Sequence, residues 1–205
     1  MKTLEAGRQG MRGSVIAVIV LVGLLVVGLL VGGSAISSRN HMVTLNEQVN
    51  SDYSQVDIEQ QRRLDLIPNL VASVKGYVKE EETVLTNVAN ARAAVIAATG
   101  DRASSISANQ RLDVALSPLM RLQEQYPDLK GNDQFMRLED ELAGSENRIA
   151  VARRRYNISL QAYNTDVQQF PNSLWAGSKF PVRNEYFKGN PNNSVAPTVN
   201  FDETK

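Results

Sequence analysis

GSVIAVIVLVGLLVVGLLVGGSAISS, residues Gly13 to Ser38, is a run of 26 residues without one charge. Fifteen of them are Val, Ile or Leu. A helix from Ser14 to Ile36 would span roughly 34 Å, enough to cross a hydrocarbon core of about 30 Å. At roughly −0.3 to −0.6 kcal/mol for each large aliphatic residue, insertion is favourable by about 4 to 9 kcal/mol before the glycines are discounted. The stretch predicts a single transmembrane helix over residues 14–36, preceded by a basic head, residues 1–13. A cleaved signal peptide is the competing reading, since Gly33-Ser34-Ala35 resembles a cleavage site. The apolar run, however, exceeds the usual h-region of about 7–15 residues. Gly28 and Gly32 form a GxxxG pair, a spacing that lets two membrane helices approach closely. Glycine is also common in membrane helices without that role.

The flanks set an orientation. Lys2, Arg8 and Arg12 precede the run, and Arg39 follows it. The positive-inside rule then predicts a cytoplasmic N-terminus and a domain on the extracytoplasmic side. With Glu5, residues 1–39 carry +3, so the rest of this formally neutral chain carries −3. That is not the basic face that nucleic acid requires. There is no Cys, which removes disulfides and thiolate metal sites, and one histidine, His41, which leaves His-dependent catalysis little to work with.

Beyond the apolar run, greasy residues recur three or four apart, the helical period. Met42, Leu45, Val49, Tyr53 and Val56 begin the row. Leu64, Ile67, Leu70, Val74, Tyr77, Val84, Val88 and Val95 continue it past polar interruptions at Gln60 and Glu81. Pro68 either kinks this helix or opens a new one, because an interior proline removes a hydrogen bond at a cost of about 3 kcal/mol. Thr99-Gly100-Asp101 marks a corner, with Asp101 or Ser104 as the next cap. Ile106, Leu112, Leu116, Leu119 and Leu122 form a third segment containing Pro118, and Tyr126 to Asn132 read as a loop. Phe135, Leu138, Leu142, Ile149, Tyr156, Tyr163, Val167 and Phe170 make the last and longest row, ended by Pro171. The fold class expected is all-α: one transmembrane helix, then an antiparallel four-helix bundle with left-handed packing over residues 37–170. Residues 171–205 are expected to hold an aromatic segment and a mobile tail from Gly189. Trp175, Phe180, Tyr186 and Phe187 either touch the membrane or a partner, or fold back over the bundle end.

The blocks Arg62-Arg63-Leu64-Asp65-Leu66-Ile67-Pro68-Asn69-Leu70-Val71 and Val74-Lys75-Gly76-Tyr77 resemble the LemA family. Tyr126-Pro127-Asp128-Leu129-Lys130, Glu146-Asn147-Arg148-Ile149, Tyr156-Asn157, Phe170-Pro171 and Tyr186-Phe187 extend the likeness over roughly residues 45–188, in order and at the family's spacing. The resemblance implies a membrane helix followed by a four-helix bundle, a bacterial inner-membrane location, and no agreed biochemical activity. It also implies a short N-terminus outside the cytoplasm, which the basic head of this chain contradicts.

Two readings suit the polar blocks. In the first, Arg62, Arg63, Asp65, Asn69 and Arg148 form a structural lock. Asn69 would bond carbonyls freed by Pro68, and the arginines would pair with Glu139, Glu141 or Glu146, since buried charges survive only when paired. In the second, Arg62, Arg63, Arg148 and Arg153 contact an anion or a lipid headgroup. A di-metal bundle would need two Glu-x-x-His pairs, which one histidine cannot supply. No cofactor, metal, catalytic residue or small-molecule substrate is expected. The chain reads as a non-enzyme: a membrane-anchored scaffold that meets the bilayer, copies of itself or other envelope proteins, with a ligand-binding or sensory module as the alternative.

Overall fold

The structure, a computed structural model, describes residues 2–77, 81–98 and 100–188, with side chains from residue 17. The expected mobile tail lies outside these residues, as do the side chains of the basic head. The described residues form helices and no strand: α1 (Lys2–Lys75), α2 (Glu82–Ala97), α3 (Arg102–Gln125), a 3-10 turn (Pro127–Gly131), α4 (Asp133–Gln168), the short α5 (Asn172–Ala176) and a second 3-10 turn (Gly177–Lys179). The all-α class expected from the periodicity is what is found.

The chain divides into two compact units. One takes the chain up to Glu47 together with Ala162–Val182. Its large aliphatic residues from Val18 to Val31, and Ile36, all lie exposed. Among the described residues this is the one helix long and apolar enough to cross a membrane. Gly28 and Gly32 have open space around them. Farther along, Met42 is buried, as are Tyr163, Val167, Ala176 and Phe180. The Tyr163 hydroxyl donates to the Pro181 carbonyl at 3.0 Å, and Asn172 Nδ2 donates to Asp166 at 2.8 Å. This grouping departs from a bundle ending at residue 170, because the end of α4 and the α5 segment belong with the stretch that leaves the apolar helix.

The second unit is the bundle proper, Gln48–Gln161 and the chain from Arg183. Leu64, Ile67, Leu70 and Val74 of α1 are buried with Val88 and Val95 of α2, Leu112, Leu116, Leu119 and Leu122 of α3, and Phe135 and Leu142 of α4. Fully burying each such side chain is worth roughly 1.5–3 kcal/mol, so this row holds the helices together. Two ion pairs fix the direction of α4: Glu59 faces Arg148, and Arg63 faces Glu146, so α1 and α4 run antiparallel.

Pro68 neither ends nor opens a helix; α1 runs through it. The corner falls later, where α1 stops at Lys75 and Gly76–Tyr77 turn the chain. Proline should free the carbonyl four residues back, that of Leu64. Arg92 of α2 donates its Nε–H to that oxygen at 3.1 Å. Asn69, expected in this role, is exposed. A long donor from the neighbouring helix thus replaces the missing amide and lets α1 continue.

The next corner follows local chemistry. Gly100 has φ 107°, a conformation open to glycine at little cost. Asp101 then caps α3 by accepting from the Ser104 amide at 2.8 Å, and the Ser104 hydroxyl, followed by that amide, holds its carboxyl below the usual range. The expected loop at 126–132 is the 3-10 turn, pinned by the fully buried Leu129. Asn132 Oδ1 accepts from the amides of Gln134 and Phe135 and opens α4.

Candidate functional site: a buried ion network beside an open cleft

Val56, Gln60, Arg63, Leu64 and Ile67 fall on one face of α1, which places two polar residues among core positions. Arg63 is 0% exposed. Its Nη1 donates to Asp113 of α3 and to Glu146 of α4, and its Nη2 to Asn109 Oδ1 at 3.1 Å. Asn109 and Asp113 are four apart and share a face of α3; Glu146 and Arg153 are seven apart and share a face of α4. Arg153 closes the set by donating to the second oxygen of Asp113 at 3.1 Å. Two arginines therefore meet two carboxylates, and the network is neutral. Burial works against the charged guanidinium of Arg63, but Asp113 and Glu146 outweigh it and hold its pKa above the ordinary value.

Beside this network lies a cleft of about 660 Å³, where the α2–α3 corner faces α1. Tyr53, Asp57, Gln60, Gln61 and Leu64 supply the α1 wall, Val95 and Ile96 the end of α2, and Arg102, Ser105 and Asn109 the start of α3. The Arg102 guanidinium lies 4.4 Å above the Tyr53 ring and donates to Asn50 at 2.9 Å. Partial burial raises the Asp57 carboxyl against the opposing pull of Arg102 and the Tyr53 hydroxyl. Burial likewise raises the Tyr53 phenol, with a bond from Ser105 opposing it. The Gln60 amide nitrogen is buried without a hydrogen-bond partner. The cleft offers donors, the carboxylates of Asp57 and Asp101, and apolar surface from Leu64, Val95 and Ile96. The antiparallel bundle expected from the sequence gave no reason to anticipate it. A smaller groove of about 260 Å³ lies between Gln55 and Glu59 of α1 and Asn147, Arg148 and Arg155 of α4. The Arg148–Glu59 bond, 2.9 Å, joins its two walls.

An aromatic cluster caps the same unit. Tyr53 and Tyr156 meet edge-on at 5.4 Å, and Phe187 packs edge-on against Tyr156 at 5.5 Å. Asn157 accepts from the Phe187 amide at 3.0 Å and donates to its carbonyl at 2.8 Å, clipping the returning segment to α4. Burial pushes the Tyr156 phenol up to about 12.

Of the residues singled out in the sequence, the structure brings Arg63 and Glu146 together. Arg62 and Glu141 are exposed, and Asp65 is exposed and accepts from Gln61 at 2.8 Å. Glu139 accepts from Gln123. Arg148 reaches Glu59, outside the network. Sequence reasoning missed Asn109, Asp113 and Arg92. Asn109 and Asp113 flank the apolar Leu112, and their four-residue spacing was the available signal. Among the four aromatics, Phe180 and Phe187 are buried, while Trp175 and Tyr186 are half-buried. The exposed apolar residues of that segment are Phe170, Leu174 and Val182. Among the described residues no group of three or more His, Asp or Glu is placed to hold a metal ion.

A family model described as the LemA family matches residues 52–201. No curated protein matches the chain.

Proposed function

The chain belongs to the LemA family, and on that premise we propose that it is a single-pass, membrane-anchored scaffold of the bacterial cytoplasmic membrane. The bundle projects to the extracytoplasmic side and meets copies of itself or other envelope proteins. The observation that carries this reading is the wholly uncovered apolar surface from Val18 to Val31, more than a monomer leaves in water without a use for it. The pairing of Arg63, Asp113, Glu146 and Arg153 with one another supports a structural role for the bundle's charges. Gly28 and Gly32 give two copies a place to pack within the bilayer. We read the protein as a non-enzyme.

The test exploits the absence of cysteine. Single cysteines on the exposed faces of α1 and α4, cross-linked in native membranes at native abundance, are expected to trap dimers or larger species. Monomers alone, from every position, would end the scaffold reading.

A ligand-binding or sensory module is the second reading, and the cleft at the α2–α3 corner favours it. Its anion-contact form is less well supported, because Arg63, Arg148 and Arg153 already engage carboxylates. Thermal unfolding of the full chain across a panel of anions, amines and lipids separates the two readings. A shift given by one ligand class and lost in Asp57→Asn or Gln60→Ala supports the module, and no shift removes it.

A further inference from the structure

We propose that the loop from α4 into α5 is a second membrane contact: Phe170 and Leu174 insert into the bilayer interface beside the point where α1 emerges. The inference rests on the reading of the apolar helix as a membrane span.

Position in the fold carries it. The uncharged stretch of α1 ends at Ser38, and its last large aliphatic residue is Ile36. In the same compact unit, Asp166 of α4 lies 3.6 Å from His41. Because α4 runs antiparallel to α1, each residue after Asp166 lies closer to the apolar stretch. Helix α4 ends two residues on, at Gln168, about 3 Å of rise nearer that stretch, and the chain turns there close to the end of the uncharged run. Phe170 stands there, 79% exposed, and Leu174 follows it, 64% exposed.

Single exposed apolar residues need no explanation. Here two large ones occur within five positions, one in the turn after α4 and one in α5, in the unit that carries the span. The neighbours are those of an interfacial anchor. Trp175, the one tryptophan of the chain, adjoins Leu174, and Trp is enriched at the headgroup level. Lys179 is exposed three residues after Ala176, where an ammonium group can meet lipid phosphate. The Asn172–Asp166 bond at 2.8 Å ties the start of α5 to α4 and fixes the turn that carries Phe170, with Leu174 following in α5.

The lone tryptophan supplies the experiment. The full chain is reconstituted into phosphatidylcholine vesicles with bromine near the headgroup end of the acyl chains, a short-range quencher of Trp fluorescence. Trp175 is expected to lose emission to brominated lipid and to resist aqueous iodide. In Phe170→Ser/Leu174→Ser the lipid quenching is expected to fall and the iodide quenching to rise, with unchanged circular dichroism. A parallel Trp175→Phe/Ile36→Trp variant reports the span itself. If the tryptophan at 36 is quenched by lipid and Trp175 is not, the second contact is wrong and the anchor stands. If Trp175 is quenched equally with and without Phe170 and Leu174, mere nearness explains the signal and the proposal fails. If neither position is quenched, the anchor and the second contact fall together.

Discussion

The hydrogen bond from Arg92 to the Leu64 carbonyl makes a quantitative claim about Pro68. A proline inside a helix costs about 3 kcal/mol, part of it from the carbonyl left four residues back. A charged donor bonded to a carbonyl returns about 1.5–3 kcal/mol when buried. Arg92 is half-buried, so solvent screening lowers that to about 1–2 kcal/mol. Arg92→Met keeps most of the apolar stem and removes the donor, and it should destabilise the bundle by that amount. Pro68→Ala restores an amide that can bond Leu64 within the helix. In that background the arginine is redundant, and Arg92→Met should cost about 0.5 kcal/mol or less. The double-mutant cycle should therefore give a coupling of about 1 kcal/mol. The assay is urea unfolding of the full chain in detergent micelles, followed by far-UV circular dichroism. If the two substitutions add to within about 0.3–0.5 kcal/mol, the arginine does not serve the proline's carbonyl and the account of how α1 survives Pro68 is wrong.

Other substitutions probe the buried network and the cleft. Asp113→Asn/Glu146→Gln leaves Arg63 charged and buried, and should cost about 2–4 kcal/mol after allowing for the partial exposure of both carboxylates. Arg63→Met should cost less, about 1–3 kcal/mol, because Asp113 keeps Arg153, Glu146 meets water, and Asn109 loses one bond; the opposite order in urea unfolding contradicts the network's reading. Tyr156→Phe removes a buried hydroxyl without a partner, so it should leave stability unchanged or raise it by up to about 1 kcal/mol, and it should remove a phenol whose ultraviolet titration falls near pH 12. Asp57 has a carboxyl raised above its ordinary 3.8, chiefly by burial. The native state therefore takes up its proton first, and the group's unfavourable contribution disappears as pH falls through the folded value toward 3.8. Asp57→Asn should raise the neutral-pH melting temperature and remove that acid-side gain; an unchanged pH profile refutes the burial of its charge.

The helical period was plain in the sequence because the buried face is written in large aliphatic residues. Leu64, Ile67, Leu70 and Val74 are buried as their spacing implies, as are Phe135, Leu142, Ile149 and Tyr156. The place of the first corner was not plain. Pro68 is the stronger local signal, yet a side chain from another helix neutralises it, and such rescue leaves no trace near Pro68 itself. The true corner is marked only by Gly76 and the polar run up to Glu82. The partners of Arg63 were half legible. Glu146 belongs to a recognisable block, whereas Asn109 and Asp113 look like the polar side of any amphipathic helix until α3 is placed against α1. The cleft was invisible because it depends on how the α2–α3 corner stands against α1, a tertiary spacing that no periodicity encodes. Phe170 and Leu174 continue the apolar row in sequence, but after Gln168 the chain leaves the helix, and the period no longer says which way they face.

The clip between Asn157 and Phe187 bears on the order in which the protein is made. Tyr53 emerges from the ribosome long before residue 187, so its aromatic lid is absent during most of translation. A nascent chain halted before that residue leaves the Phe187 side of the Tyr53 ring open to chaperones, proteases and sister chains, so a late-made residue conceals an early-made one.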